Sequence, residues 1–160
     1  MNLNNTNINN LKSVYFIGIG GIGVSALALW CIENKISVYG YDREESQITK
    51  KIESIGGKIF YEYEKSINTN SLHFNIISCF NNCENIVVYS SAIKSNHPLL
   101  KYFQSINSFC IKRSKFLGLI SKDYDVIAVA GTHGKTTIST MLTHILKQNN
   151  IDCTSFLGGI

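Results

Sequence analysis

The first 120 residues alternate between apolar runs with strand chemistry and apolar residues at helical spacing. Residues 14–17 are all aliphatic or aromatic, which predicts a buried strand. Residues 24–31 then place apolar side chains three and four positions apart, which predicts a helix. The same alternation recurs further along the chain. Predicted strands cover 14–17, 38–41, 58–63, 85–93 and 108–114, and predicted helices cover 24–31, 48–55, 98–106 and 115–121.

Strands that alternate with helices indicate a parallel sheet with helices on both faces. The predicted fold class is therefore α/β, with a Rossmann-like sheet in the first domain. The polar segment 64–84 interrupts the pattern, because asparagine-rich turn signals flank its short apolar run. We interpret it as a loop with room for one short element.

A second β-loop-α unit follows a boundary near 122–124. Residues 125–131 predict a strand, and residues 154–159 predict the beginning of another. The helix predicted between them has one apolar face, formed by Ile138, Met141, Leu142, Ile145 and Leu146. We therefore divide the chain into a disordered leader (1–12), a Rossmann-like domain (13–122) and the first β-loop-α unit of a second, incomplete domain (123–160).

Charge and composition narrow the class of protein. The formal net charge is only +4 and the lysines are scattered, so we expect no nucleic acid partner. Residues 13–32 carry no charged side chain and would be long enough to span a bilayer. Glycines at positions 18, 20, 21 and 23 divide that stretch into a strand and a helix, so we expect no membrane segment.

The five cysteines do not form a metal-binding or redox motif. Cys79 and Cys83 are the closest pair, but their C-F-N-N-C spacing differs from the C-x-x-C of zinc and thiol redox sites. Reduced thiols in a cytoplasmic protein are the interpretation that this pattern favours.

The first glycine-rich turn joins the first predicted strand to the first predicted helix. It contains G-x-G-x-x-G as Gly18, Gly20 and Gly23, with Gly21 as an additional glycine. In such turns the first glycine permits the tight turn, the second lets a pyrophosphate approach the backbone, and the third lets helix and strand pack closely. A phosphate is then expected at the positive N-terminus of the helix.

Asp42 ends the second predicted strand, where a carboxylate commonly accepts hydrogen bonds from ribose hydroxyls. Together with the glycine turn, it supports an NAD-dependent dehydrogenase as one hypothesis. The structural alternative is that the glycines only form a turn and that Asp42 caps the following helix.

The second glycine-rich turn, GTHGKTT, follows VIAVA and precedes the amphipathic helix. Glycines in it allow backbone N–H groups to turn towards phosphates, Lys135 can bridge the β- and γ-phosphates, and the Thr136 hydroxyl is placed for Mg²⁺. His133 is interpreted as a loop residue and not as a catalytic base. The predicted ATP-binding residues are Gly131, Thr132, His133, Gly134, Lys135, Thr136 and Thr137. Two phosphate sites in one chain are unusual for a dehydrogenase.

The chain resembles the Mur ligases. The similar segments are GIGGIG at 18–23, GYD at 40–42, VVYSSAI at 87–93, KRSKFLGLI at 112–120, AVAGTHGKTT at 128–137 and FLGGI at 156–160. Their order along the chain is that of the family. The GIGG turn favours the member of the family that joins L-alanine to UDP-N-acetylmuramate in the cytoplasm.

The resemblance implies a role for each glycine turn. Residues Gly18, Gly20, Gly21 and Gly23 would lie near the diphosphate of UDP-N-acetylmuramate, and Asp42 would face the uridine. Ser90 and Ser91 would face the diphosphate or the sugar. Lys135 and Thr136 would be catalytic: ATP and Mg²⁺ would bind at 131–137, where a carboxylate becomes an acyl phosphate that the amine of L-alanine attacks.

Family members are much longer, so the resemblance predicts that these 160 residues are an N-terminal fragment without ligase activity. The segment 66–84 also looks longer than the usual connection, and Ile138 replaces a common threonine. A truncated module that only binds the UDP-sugar is the alternative that remains open, beside the dehydrogenase.

Overall fold

The computed structural model of the protein describes residues 8–62, 72–82 and 84–157. Within these residues, five strands form one sheet in the order β3-β2-β1-β4-β5, and every neighbouring pair is parallel. The strands are β1 (Ser13–Ile17), β2 (Ser37–Tyr41), β3 (Lys58–Phe60), β4 (Asn85–Tyr89) and β5 (Cys110–Lys112). The predicted α/β fold class with a Rossmann-like parallel sheet is therefore confirmed.

Six helices are described, and each of the first five follows a strand of the sheet, as the periodicity predicts. They are α1 (Ile22–Glu33), α2 (Gln47–Ser54), α3 (Leu72–Ser78), α4 (Pro98–Ser105), α5 (Arg113–Ile120) and α6 (Lys135–Gln148). Local chemistry fixes where two of them begin. Ser46 and Thr49 form a reciprocal capping box at the start of α2, and Pro98 occupies the first turn of α4, where its missing N–H costs nothing.

The central strand β1 is buried on both faces of the sheet. Val14 and Phe16 pack in a core cluster with side chains of α1, α2 and α5. Tyr15 and Ile17 point to the opposite face and pack with side chains of α3 and α4. All four side chains are inaccessible to solvent, as expected for a parallel sheet between two helical layers.

The N-terminal segment is packed from residue 8 onwards. Ile8 and Leu11 are buried in the same cluster as Val14, and a 3-10 turn covers Ile8–Asn10. The disordered leader expected over 1–12 is therefore wrong for residues 8–12, because their apolar side chains extend the core. Residues 1–7 lie outside the described residues.

Three strands are shorter than predicted, and a helix lies in the predicted loop. Strand β5 covers only 110–112 of the predicted 108–114, because α5 already begins at Arg113. Strand β4 ends at Tyr89 because the chain turns there: Ile93 donates its N–H to the Ser90 carbonyl. Strand β3 ends at Phe60, and residue 63 lies outside the described residues. Helix α3 occupies part of 64–84, which we expected to hold one short element at most.

The predicted strand at 125–131 is wrong. These residues have no regular structure, and Val126 and Ile127 are 58% and 66% exposed. A strand forms only beside another strand, and no described strand pairs with this segment. Residues 154–157 are likewise not a strand, and 158–160 lie outside the described residues.

Helix α6 is present as predicted, but its apolar face is not covered. Ile138, Met141 and Ile145 are each more than half exposed, and no residue of α6 is buried. After the helix, Phe156 returns to pack against the cluster around Val14. The proposed domain boundary at 122–124 stays a prediction. No helix in the described part of the chain has the length and apolar character needed to cross a membrane.

Candidate functional site

A cavity of about 380 Å³ lies at the carboxyl edge of the sheet. It opens where β1, β2 and β4 end. Strand β2 lies on one side of β1 and β4 lies on the other, so the order of the strands reverses between β1 and β4. Ligands of open parallel sheets bind at such switch points. The lining residues are Gly18, Gly20, Gly21, Asp42, Glu44, Glu45, Ser46, Ser90, Ala92 and Ile93.

The glycine turn after β1 is tied to the end of β2. Gly18 has a φ of 83°, a conformation that favours glycine, and both Gly18 and Ile19 donate their N–H groups to the Tyr41 carbonyl. Gly21 then donates its N–H to the Gly18 carbonyl across 3.2 Å. The turn is therefore held by hydrogen bonds of its own backbone and of β2.

Asp42 binds the turn directly. The Gly20 N–H donates to Asp42 Oδ2 across 2.7 Å, and the Arg43 N–H donates to Asp42 Oδ1 across 2.7 Å. A Cβ at position 20 would lie 2.9 Å from Asp42 Oδ2 and 3.1 Å from Thr49 Cγ2. Position 20 thus needs glycine because Asp42 and Thr49 approach its backbone, a reason that the sequence pattern did not supply.

The interpretation of Asp42 as a helix cap is wrong. The cap of α2 is Ser46, whose side chain accepts the Thr49 N–H. Asp42 precedes this cap and faces the cavity instead. Its carboxylate is therefore placed both to hold the turn and to accept further hydrogen bonds from a ligand.

Gly23 lies against a side chain that the sequence analysis did not assign to the site. A Cβ at position 23 would overlap the guanidinium of Arg113, the first residue of α5. The close neighbour of this third glycine is therefore an arginine from a distant helix and not strand β1. The only sequence signal was the position of Arg113 in the KRSKFLGLI segment, to which no role was attached.

The two predicted serines differ in position. Ser90 lines the cavity, and its hydroxyl accepts the N–H of Ala92 in the turn after β4. Ser91 is exposed and is not part of the lining. Gly18, Gly20, Gly21, Asp42 and Ser90 are thus brought together around one cavity, whereas Gly23 and Ser91 lie outside its lining.

Gly40 is a second residue whose role the sequence analysis missed. A Cβ at this position of β2 would lie 2.7 Å from Ile19 Cδ1 and 3.0 Å from the Phe16 carbonyl oxygen. Ile19 belongs to the glycine turn and is fully buried. The absence of a side chain at position 40 therefore lets the turn pack on β2, and the signal was the glycine in GYD.

The cavity is acidic on the side of α2. Asp42, Glu44 and Glu45 contribute carboxylates to its lining. Lys50 lies 2.6 Å from Glu45, and this hydrogen bond raises the pKa of the lysine. Because both side chains are well exposed, the pair is screened by water and contributes little to stability.

The second glycine turn forms a separate loop at the start of α6. Gly131 and Gly134 have φ angles of 154° and 75°, and Gly134 immediately precedes the helix. Lys135 folds back over the turn, and its Nζ donates to the carbonyl oxygens of Gly131 (2.6 Å) and Thr132 (3.1 Å). Two carbonyl oxygens of the turn thus accept hydrogen bonds from one ammonium group.

The remaining side chains of this loop are open to solvent. His133 Nδ1 lies 3.2 Å from Thr132 Oγ1, and Thr136 and Thr137 are exposed in the first turn of α6. Their hydroxyl and backbone N–H groups fit the needs of a nucleotide phosphate and of a hydrated Mg²⁺ ion. No residue of 131–137 belongs to the lining of the cavity, so the two glycine turns are separate sites in the described structure.

Similar proteins carry one recurring name. The UDP-N-acetylmuramate–L-alanine ligase of Phocaeicola vulgatus is 42% identical over 154 residues, and that of Cytophaga hutchinsonii is 40% identical over 155 residues. Each match covers 96% of this chain but only 32% of the relative. The chain therefore spans about a third of the length of these curated relatives.

Solved structures agree with the sequence matches. The UDP-N-acetylmuramate–alanine ligase of Thermotoga maritima superimposes with a TM-score of 0.75 and 29% identity, over 92% of this chain and 32% of that one. A murein peptide ligase from Psychrobacter arcticus gives a TM-score of 0.68 and 26% identity, over 87% of this chain and 27% of that one. The family profile described as Mur ligase family, catalytic domain, matches residues 13–125. With its parallel sheet and its glycine turns in place, the chain belongs to the Mur ligase family.

Proposed function

We propose that this chain carries the UDP-sugar-binding domain and the ATP loop of a cytoplasmic ligase that joins L-alanine to UDP-N-acetylmuramate during peptidoglycan synthesis. One observation carries the proposal: the cavity is lined by the first glycine turn, Asp42 and Ser90, and its lining includes no residue of the second, lysine-containing glycine turn. One site would hold the nucleotide-linked substrate, and the other would hold the energy source. The names of the relatives supply the identities of the two substrates.

The residues of the second loop have defined roles in this proposal. Lys135 leaves the carbonyl groups of Gly131 and Thr132 and binds the β- and γ-phosphates of ATP. Its positive charge stabilises the phosphoryl group during transfer to the substrate carboxylate. The Thr136 hydroxyl would hold Mg²⁺, which would supply further neutralisation of phosphate charge. Transfer of the γ-phosphoryl group to the substrate carboxylate would break its bond to the β-phosphate and release ADP. The amine of L-alanine would then attack the acyl carbon, lose a proton and displace inorganic phosphate, which forms the amide.

Binding by the 160-residue chain tests the first site. We expect calorimetric titration to give tighter binding of UDP-N-acetylmuramate than of NADH, because the second phosphate loop has no part in a dehydrogenase. Tighter binding of NADH would contradict the ligase proposal and support the dehydrogenase, whose glycine turn and Asp42 are also present.

Catalysis by the same chain tests the second part of the proposal. We expect no amide formation from UDP-N-acetylmuramate, L-alanine and Mg-ATP, because the described residues after 123 supply one helix and no strand for an ATP-binding domain. Detectable amide would contradict this expectation. Binding of ATP that disappears in Lys135→Ala would support a working phosphate loop, whereas absence of ATP binding would favour a module that binds only the UDP-sugar.

A further inference from the structure

A buried histidine links the central strand of the sheet to the edge strand β3. His73 of α3 is 4% exposed, and its Nε2 lies 2.6 Å from the hydroxyl of Tyr15, which is fully buried in β1. Its ring also stacks on Phe60, the last residue of β3, with ring centroids 3.7 Å apart and an interplanar angle of 5°. Since β2 lies between β1 and β3, the imidazole spans β2 and ties the edge strand to the central strand.

Strand β3 has little pairing of its own. It comprises three residues, and among the described strands it pairs with β2 alone. Ile59 anchors one face of β3 in the core cluster that contains Val14, and alternation directs Phe60 to the opposite face, where α3 lies. The ends of such short elements open easily, so the stack on His73 fixes the carboxyl end of β3.

The carboxyl end of β3 in turn holds Asp42. The Asp42 N–H donates to the Phe60 carbonyl oxygen across 3.2 Å. The Asp42 side chain lines the cavity and accepts the Gly20 N–H across 2.7 Å. An unbroken series of contacts therefore runs from His73 through Phe60 and Asp42 to the glycine turn.

His73 itself is not part of the cavity lining. It therefore does not touch a ligand in the cavity and can act on one only through Phe60 and Asp42. The helix that carries it, α3, lies in the segment 64–84, to which the sequence assigned no role.

We propose that His73 is a positioning residue of the cavity: its stack on Phe60 fixes the end of β3 and thereby sets where Asp42 lies against the glycine turn. This part of the inference concerns the chain alone and needs no ligand. A second part, that the position of Asp42 controls the affinity for UDP-N-acetylmuramate, rests on the function proposed above. Helix α3 thus helps to shape the site without lining it.

The test changes the ring at position 73 in a chain from which the buried hydroxyl has been removed. With Tyr15→Phe, no hydroxyl is left without its hydrogen bond, so position 73 can be varied for its ring alone. Tyr15→Phe with His73→Phe retains a flat ring against Phe60, whereas Tyr15→Phe with His73→Leu does not. We expect the Gly20 amide proton to exchange at least about 10-fold faster in the leucine variant, because Asp42 holds that N–H less firmly.

A second amide corrects for any change in global stability. The Ser25 N–H donates to the Gly21 carbonyl across 2.8 Å, a hydrogen bond beside the turn that does not involve Asp42. NMR of the 160-residue chain without ligand measures both exchange rates, and the Gly20 rate divided by the Ser25 rate should rise at least about 10-fold in the leucine variant. In calorimetry, that variant should bind UDP-N-acetylmuramate about 3- to 10-fold more weakly than the phenylalanine variant.

Two variants of β3 keep the test informative if the leucine variant does not fold. Phe60→Leu removes the stack from its other side, and Phe60 is only half-buried at the end of its strand. We expect the same rise in the ratio of exchange rates. Ile59→Val removes a methylene from the opposite face of β3 and should change the ratio less than about twofold.

The outcomes separate this inference from the proposed function. An unchanged ratio in the folded variants without the stack would overturn the positioning role, and so would an equal rise in Ile59→Val, which would indicate general loosening of β3. If the ratio rises but the unmodified chain does not bind UDP-N-acetylmuramate, the positioning of Asp42 is supported and the proposed function is wrong. If the unmodified chain binds and both variants at position 73 bind equally well, the effect on affinity is overturned.

Discussion

At the residue scale, one carboxylate determines the shape of the first glycine turn. Asp42 accepts the N–H groups of Gly20 and Arg43, each across 2.7 Å. Because the carboxylate is only partly exposed, these charged hydrogen bonds are worth more than ordinary surface contacts. Asp42 therefore faces the cavity and also fixes the glycine turn that forms part of the cavity wall.

Removal of this carboxylate should destabilise the folded chain. We expect Asp42→Ala to lower the free energy of unfolding by about 1–2 kcal/mol, because the Gly20 N–H loses its acceptor. Glu44→Ala, which removes an exposed carboxylate from the same cavity, should change it by less than about 0.5 kcal/mol. Urea unfolding, followed by the fluorescence of Trp30, the single tryptophan, measures the free energy of unfolding of both variants. Equal effects of the two variants would contradict the role of Asp42.

Two glycines should respond in opposite ways to the same substitution. Gly20→Ala should lower the free energy of unfolding by about 1–3 kcal/mol, because the new Cβ would lie 2.9 Å from Asp42 Oδ2. Gly118→Ala should raise it by about 0.5–1 kcal/mol, because Gly118 lies inside α5 with no atom within 4 Å of a Cβ. Thermal or urea unfolding measures the stability of both variants. Destabilisation of both to the same extent would argue against this steric explanation.

At the element scale, α6 differs from α1, the other long helix in the described part of the chain. Helix α1 buries six of its residues against the sheet, whereas α6 buries none. Its amphipathic pattern nevertheless forms a helix, because the spacing of apolar residues and the left-handed Gly134 at its start are local properties. Few tertiary contacts therefore stabilise α6.

Hydrogen exchange should reveal this difference between elements. We expect backbone amides of α6 to exchange at least about 100-fold faster than those of β1, because α6 can open without unfolding the sheet. Strand β1 is bonded to β2 and β4 on its two sides, so its amides should exchange only through global unfolding. Mass spectrometry of deuterated fragments measures both, and equally slow exchange in α6 would contradict the expectation.

At the scale of the whole molecule, a buried histidine couples stability to pH. His73 is 4% exposed, its Nε2 lies 2.6 Å from the Tyr15 hydroxyl, and its ring stacks on Phe60. Burial lowers the pKa of His73 to about 4. Burial also raises the pKa of Tyr15 well above its usual value, so this neighbour stays neutral at acidic pH.

The pKa of His73 sets the sign of the pH effect. Since its folded pKa lies below its unfolded value near 6.5, protons bind more strongly to the unfolded chain, and stability is lost as the pH falls from about 6.5 towards 4. We expect protonation of His73 in the unfolded chain to lower the free energy of unfolding by about 2 kcal/mol as the pH falls from 7 to 5. His73→Gln should remove most of this loss, and the exposed His144→Gln should not. Burial also lowers the pKa of His97, so a smaller loss of the same sign should remain.

The sheet could be predicted from the sequence because its signals are local. Uninterrupted apolar runs such as residues 14–17 and 86–88 predict strands buried on both faces, and the structure confirms them. The prediction of 125–131 as a strand used the same signal and was wrong, because a strand also needs a neighbour. An apolar run thus indicates that a segment favours a strand, but the strand forms only where a neighbouring strand can pair with it.

The sequence by itself determined the α/β class, the two glycine turns and the family, because spacing, glycine positions and apolar periodicity are properties of short segments. Tertiary structure decided which groups meet: Asp42 with the Gly20 N–H, and Arg113 with Gly23. Arg113 follows β5 and Gly23 lies in α1, and they meet because parallel strands bring the chain segments after their carboxyl ends to one edge of the sheet. Contacts between residues 90 positions apart in sequence depend on that topology, and no local pattern specifies them.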